Sequence, residues 1–175
     1  MLSKLTFALF TFILVSIQGS YAKPGDAIAA TPAPPGLSFL YSLNCTLGTA
    51  IPVGTGPRGT RVVIPITGGT FQGPKIKGKI LNLGADWALS SSGGAEATTN
   101  VDTRYHLVTD DGANIFIQTN GPAKKDGKIH LRITFETGST KYYWLNSVVA
   151  VGILTTGNGF VAIDAWEVLS PGVAA

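Results

Sequence analysis

Residues 37–47 read LSFLYSLNCTL, and apolar and polar side chains alternate along them almost without interruption. One face carries Leu37, Phe39, Tyr41, Leu43, Cys45 and Leu47, and the other carries Ser38, Leu40, Ser42, Asn44 and Thr46. A period of two residues is typical of a β-strand with one buried face. The stretch therefore predicts a strand and sets the pattern for the rest of the chain.

Strand-like runs of the same kind follow to the end of the sequence. They occupy residues 60–67, 75–83, 86–90, 101–109, 113–119, 128–137, 141–154 and 160–169. The breaks between them, Gly68-Gly69 among them, are rich in Gly and Asn, which supply the positive φ of tight hairpins. After residue 22, no segment shows the 3.6-residue period of a helix. The sequence predicts an all-β fold, a single antiparallel barrel of eight or nine strands with negligible helix; a two-sheet sandwich is the alternative.

Composition excludes several classes of protein. Charged residues make up 13 % of the chain and hydrophobic residues 45 %, with 22 Gly and 10 Pro. Disordered and nucleic-acid-binding chains are rich in charge and poor in apolar residues, so no nucleic-acid partner is expected. The single cysteine, Cys45, excludes an internal disulfide and a cysteine-built zinc site, and we expect it to be buried.

The first residues have the pattern of a secretory signal peptide. Lys4 precedes an apolar run at residues 5–17, and Ser20 and Ala22 are small residues suited to a cleavage site. The run is too short to span a bilayer, so secretion without stable membrane insertion is predicted. The predicted organisation is a signal peptide (1–22), a Pro/Ala-rich leader (23–36), a barrel domain (37–170) and a C-terminal tail (171–175). Asn44-Cys45-Thr46 matches an N-glycosylation sequon, which makes Asn44 a candidate modification site.

Titratable side chains occupy one face of the run at residues 101–109. Asp102, Arg104 and His106 alternate onto that face, and Asp102 could orient His106 for acid–base work. The alternative, which the pattern favours, is a solvent-exposed row of charges. The two histidines, His106 and His130, have no metal-ligand spacing, so no metal is expected.

Two aromatic positions are further candidates. Asp86 precedes Trp87, and a carboxyl group against an aromatic wall has a raised pKa that suits acid–base chemistry, although Asp is equally ordinary where a strand opens. Tyr143 and Trp144 could line an apolar pocket or fill the core.

Several motifs in order resemble the domain-of-unknown-function family 3237. They are Gly59-Thr60-Arg61, the run PITGGTFQGP at 65–74, Gly84-Ala85-Asp86-Trp87, Asp102-Thr103-Arg104-Tyr105, Asp110-Asp111-Gly112-Ala113 and Tyr143-Trp144-Leu145-Asn146. The resemblance covers about residues 37–168. It implies a small antiparallel β-barrel and, by analogy with some fungal members, chalcone-isomerase-type closure of a ring.

The resemblance suggests a cofactor-independent isomerase or cyclase acting on a phenolic or polyketide-like molecule. In this hypothesis Arg104 holds an anionic oxygen, Asp86 or His106 moves the proton, and Trp87, Tyr105, Tyr143 and Trp144 contact the aromatic ligand. His106 lies outside the family motif. The alternatives are a secreted barrel that binds a small apolar ligand without chemistry and a secreted structural or interaction protein; a homo-oligomer is left open.

Overall fold

The computed structural model describes residues 31–91 and 98–173, and nine β-strands make up most of them. The strands are β1 (Gly36–Leu47), β2 (Ile51–Gly56), β3 (Gly59–Gln72), β4 (Lys77–Ser90), β5 (Thr99–Thr109), β6 (Asn114–Pro122), β7 (Ile129–Glu136), β8 (Ala150–Thr156) and β9 (Phe160–Leu169). A 3₁₀ turn at Tyr143–Ser147 precedes β8. The predicted signal peptide, most of the leader and the end of the tail lie outside the described residues.

The sheet closes on itself. Its order is β1-β9-β8-β7-β6-β5-β4-β3, and β3 pairs back onto β1, so eight antiparallel strands form a barrel. The ninth, β2, pairs with the first half of β3 alone. Closure removes the free edges that an open sheet would expose. The barrel predicted from the alternating pattern is therefore confirmed.

The opening strand follows its pattern with one change of phase. Tyr41, Leu43 and Cys45 are buried, as expected. Leu37 and Phe39, expected on the same face, are exposed instead, because the register with β9 shifts between Phe39 and Tyr41. Such a bulge adds a residue to one strand and reverses which face its side chains take beyond it.

Three strand boundaries differ from those expected. Gly68-Gly69 lies inside β3, where the strand bends through a register shift against β4, and does not form a hairpin. The runs at 75–83 and 86–90 belong to one strand, β4. Residues 141–149 are not a strand; Tyr142 and Leu145 are buried three positions apart, which is the period of the 3₁₀ turn found there. The sequence pattern also missed β2.

A polar cluster fastens the β5–β6 turn to the segment before β8. The carboxylate of Asp111 accepts hydrogen bonds from Lys141 Nζ at 2.5 Å, Thr109 Oγ1 at 2.5 Å and the Tyr142 hydroxyl at 3.0 Å. Hydrogen bonds from Lys141 and then Thr109 hold the pKa of Asp111 well below its usual value. The charged form of this carboxyl is therefore the one that the fold stabilises.

This cluster predicts a loss of stability in acid. A carboxyl whose pKa is lowered by folding contributes stability above its unfolded pKa, about 3.9, and loses it as the pH falls further. We expect Asp111→Asn to shrink the fall in melting temperature between pH 5 and pH 2.5. Asp110→Asn is the matched control, because the Asp110 carboxylate pairs with the exposed Lys77 at 3.3 Å and with no other side chain in the part of the chain that the structure describes. Equal slopes in the two variants would contradict the assignment.

Candidate active site

A partly enclosed cavity of about 200 Å³ lies between the strands of the barrel. It sits at the end of the barrel where β1, β4 and β8 finish and β5 begins. Its walls are mostly aliphatic: Leu43, Leu47, Ile64, Ile66, Ala88, Val101, Ile129, Leu154, Val161 and Ile163. An apolar cavity with a few polar groups is the usual form of a small-molecule site.

One carboxyl group reaches into this cavity. Asp86 on β4 is the only Asp or Glu among the described residues that line it. It is paired across the sheet with Thr103 of β5, which is in turn paired with Thr119 of β6. All three side chains line the cavity, so they form a polar row across three neighbouring strands.

The surroundings of Asp86 set its proton affinity. Its Oδ1 accepts a hydrogen bond from the backbone N–H of Asp102 at 2.9 Å, and the Thr103 side chain provides a second hydrogen bond. Burial nevertheless raises the pKa of Asp86 above its ordinary value, and the nearby charge of Asp102 adds to the rise. A carboxyl group with a raised pKa is better matched to moving protons near neutral pH.

The same shift predicts that Asp86 weakens the fold when it is charged. A carboxyl whose pKa is raised by folding contributes stability below its unfolded pKa, and this contribution is lost as the pH rises through the folded pKa. We expect Asp86→Asn to melt at a higher temperature than the wild type at pH 7 and at a similar temperature at pH 3. Asn can still accept the N–H of Asp102. A variant that is less stable at pH 7 would contradict this.

The Arg104 and Trp87 side chains lie on the outer face of the barrel. The Arg104 guanidinium lies 5.8 Å from the centre of the Trp87 ring and pairs with the Asp102 carboxylate at 3.2 Å. Both charged side chains are more than two-fifths exposed, at 43 % and 42 %. Arg104 and Asp86 therefore do not share a cavity, contrary to the arrangement that the resemblance implied. Alternation along β5 sends Arg104 outward, into the solvent-exposed row that the pattern favoured, and Tyr105 inward.

His106, Tyr143 and Trp144 are also absent from the lumen. His106 packs against Phe116, with ring centres 6.5 Å apart, and with the exposed Tyr143 it lines an open groove of about 860 Å³ on the outer face. Trp144 is partly buried and lies 5.5 Å from Lys75 Nζ. The groove is larger than the lumen cavity, but its openness to solvent makes it the poorer place to hold a proton-transfer site away from water.

The remaining sequence candidates, Tyr105 and Asn44, lie on opposite faces of the barrel wall. Tyr105 is buried and lines the lumen cavity, and Cys45 does so as well. Asn44 is exposed on the outer face of β1. Burial raises the pKa of the Cys45 thiol to about 11.

No group of three or more His, Cys, Asp or Glu side chains that could hold a metal ion is found among residues 31–91 and 98–173. No helix in the same residues is both long and apolar enough to cross a membrane.

Sequence reasoning missed the threonines of the site. Thr103 and Thr119 lie on strand faces that the alternation already marked as apolar, together with Val101 and Tyr105 for the first and Ile117 for the second. Polar residues on an otherwise apolar strand face were the available signal. Their pairing with Asp86 depends on the register of three strands, which the pattern alone does not give.

The closed antiparallel sheet and the mostly aliphatic cavity inside it place the protein in the class of small antiparallel β-barrels with an internal cavity. Within it, residues 35–168 match the family described as Protein of unknown function (DUF3237), and the chain belongs to that family. The resemblance drawn from the motifs is confirmed.

Relatives and solved structures extend this result. A hydroalkoxylation enzyme of Penicillium herquei, phnH, is 32 % identical over 142 residues, which cover 81 % of this chain and 89 % of the relative. The crystal structure of a beta-barrel like protein of Acinetobacter baumannii AYE has a TM-score of 0.70 at 38 % identity, covering 79 % of this chain and 98 % of that one. That of an enzyme from Penicillium herquei has a TM-score of 0.61 at 32 % identity, covering 81 % and 99 %.

Proposed function

We propose that this protein is an acid–base enzyme that closes a ring by adding a phenolic O–H across a conjugated C=C bond inside the barrel. The observation that carries the proposal is Asp86, a carboxyl group with a raised pKa in a cavity whose other walls are mostly aliphatic. A polar group with its proton affinity shifted in a lined cavity is the usual mark of a working acid or base.

The proposed reaction requires one group that accepts a proton and then returns it. The Asp86 carboxylate takes the phenol proton, the oxygen forms a bond to the β-carbon of the enone, and the resulting enolate takes the proton back at the α-carbon. One O–H bond and one C=C π bond are lost, and one C–O bond and one C–H bond are gained. Substrate and product have the same composition, and no electrons are exchanged with another group, so the balance requires no cofactor.

The cavity supports both steps of this reaction. The Thr103 hydroxyl, next to Asp86 across the strand pair, fixes the direction of the carboxylate. The aliphatic walls exclude water, which strengthens electrostatic interactions within the site. The name of the Penicillium herquei relative, a hydroalkoxylation enzyme, describes addition of an O–H group across a C=C bond and is consistent with this chemistry.

The proposal is tested by incubating the purified protein with a panel of phenolic enones and quinone methides. We expect at least one compound to be converted to a product of the same mass and a different chromatographic retention, faster than without protein. A panel member that binds saturably and is recovered unchanged from every incubation would instead identify a ligand-binding barrel.

A further inference from the structure

The wall of the lumen cavity holds a buried hydroxyl group that the described part of the chain leaves without a partner. Thr109, Thr119 and Thr137 are the buried polar residues of the described chain, and Thr119 is only 1 % exposed. The Thr109 hydroxyl donates to the Asp111 carboxylate, and the Thr137 hydroxyl donates to the backbone carbonyl of Asn114 at 2.7 Å. The Thr119 side chain makes no hydrogen bond to any residue that the structure describes.

The oxygen of Thr119 is accessible from the cavity. Thr119 lines the cavity wall. Among the described residues, the side-chain oxygens that are fully enclosed and lack a hydrogen bond of good geometry are those of Tyr41 and Tyr105, and Thr119 is not among them. Buried hydroxyls almost always have a hydrogen-bond partner. For Thr119 that partner can come from the contents of the cavity.

Thr119 lies at the same level of the barrel as Asp86, two strands away. Asp86 of β4 pairs with Thr103 of β5, and Thr103 pairs with Thr119 of β6. The Thr103 side chain hydrogen-bonds to Asp86, whereas the neighbour of Thr119 on β7 is the apolar Ile133. Neighbouring strands are about 4.8 Å apart, so the Cα atoms of Asp86 and Thr119 are roughly 10 Å apart. A ligand can therefore lie between the two polar groups and contact both.

This separation limits the chemistry of the ligand. A hydrogen bond of about 2.8 Å at each end leaves about 5 Å between two oxygen atoms of the ligand. The ring closure above has two such oxygens. Its phenol oxygen approaches the β-carbon of the enone to about 3 Å before reaction, and the carbonyl oxygen is three bonds beyond that carbon.

We infer that the Thr119 hydroxyl donates a hydrogen bond to the carbonyl oxygen of the ligand while Asp86 holds the phenol, and that the ligand class is a phenolic enone with these two oxygens about 5 Å apart. The inference rests on the proposed function in taking Asp86 as the phenol site. During ring closure the carbonyl oxygen gains the charge of the enolate, and a donor placed there stabilises it. A ligand without the carbonyl leaves the buried hydroxyl unpaired, so Thr119 also determines specificity.

The test uses two small phenols of nearly the same shape, 3′-hydroxyacetophenone and 3-isopropenylphenol, in which a CH₂ group replaces the carbonyl oxygen. Dissociation constants for both are measured by NMR titration of the wild-type protein, Thr119→Val, Thr119→Ser and Thr137→Val. The ratio of the two constants is compared, because it cancels the general effects of each substitution on packing. We expect the preference for the ketone to fall about 3- to 10-fold in Thr119→Val, the value of one hydrogen bond, and to persist in the other two variants.

Stability provides the second measurement. Thr119→Val removes a hydroxyl that has no partner among the described residues, so its melting temperature is expected to equal or exceed that of the wild type. Thr137→Val is the matched control. It leaves the carbonyl of Asn114 and the N–H of Ser139 without the partner that Thr137 provides, and it is expected to melt at a lower temperature.

Three results would overturn the inference. They are a ketone preference that is the same in Thr119→Val and wild type, a wild-type protein that binds both probes equally or neither, and a Thr119→Val variant destabilised as much as Thr137→Val. Because the probes report binding alone, a silent turnover panel alongside a Thr119-dependent ratio would refute the reaction and leave the carbonyl site standing. Turnover of panel compounds with an unchanged ratio would refute the carbonyl site and leave the reaction.

Discussion

Replacing Asp86 by Asn is expected to lower turnover by at least about 100-fold while the barrel stays folded, since general acid–base groups typically contribute factors of 10² to 10⁴. Asn has the shape of Asp and can accept the Asp102 N–H, which Asp86 accepts at 2.9 Å, but it cannot take a proton from a phenol. The measurement is the initial rate on the compound identified in the panel, with circular dichroism to establish folding.

Three outer-face variants serve as controls for this result. Asp102→Asn removes the neighbouring carboxylate, whose side chain points away from the lumen and is 42 % exposed. Arg104→Ala and His106→Gln remove the other charged or titratable groups of that strand face. All three are expected to retain activity within a few-fold of wild type. If Arg104→Ala or His106→Gln lost as much activity as Asp86→Asn, the reacting groups would lie on the outer face.

Replacing Gly84 by Ala is expected to lower the free energy of unfolding by on the order of 3 kcal/mol. Gly84 has a φ of +108°, and a Cβ there would lie 2.1 Å from the carbonyl oxygen of Arg104. The backbones of β4 and β5 would have to separate at the point where Gly84 faces Tyr105. Urea unfolding measures the loss.

Gly112→Ala is the matched control for this substitution. Gly112 also has a positive φ, +86°, but no described atom beyond its two chain neighbours lies within 4 Å of a Cβ built there. Gly112→Ala is therefore expected to lower the free energy of unfolding by about 1 kcal/mol, through backbone strain alone. Similar losses in the two variants would mean that close contact between β4 and β5 is unimportant.

The barrel could be predicted because its determinant is local. A period of two in residues 37–47 and the later runs, broken by Gly-rich turns, is enough to give antiparallel strands in sequence order. The positions of the turns between strands were predicted less well. Gly68-Gly69 and Gly84 resemble turns in the sequence, yet each lies inside a long strand where the backbone bends or approaches its neighbour.

The site could be predicted only in part, for a related reason. Alternation along 101–109 correctly separated Arg104 from Tyr105, but it does not say which face is inward. The face with Val101, Thr103, Tyr105 and Leu107 is the more apolar and is the one that lines the interior. The same separation holds for Asp86 and Trp87, adjacent residues that must point to opposite sides of one sheet.

The alternating pattern predicts a strand around residue 143, whereas the structure has a 3₁₀ turn there. Trp144 packs against the core, which is one of the two positions that the sequence left open for it, and Tyr143 does not. In the 3₁₀ turn, Tyr143 is 63 % exposed while Leu145 is buried. Its position relative to the lumen depends on contacts distant in sequence, such as the Asp111 carboxylate with Lys141 and Tyr142. These contacts leave no periodic signal in the sequence.

The central claim is that the ligand reacts inside the barrel beside Asp86. The most direct measurement is a crystal structure with a saturated, unreactive analogue of the compound that the panel identifies. We predict density for the analogue in the lumen cavity, with its phenol oxygen within hydrogen-bonding distance of the Asp86 carboxyl. Density confined to the outer groove beside His106, with the lumen free of analogue, would contradict the account.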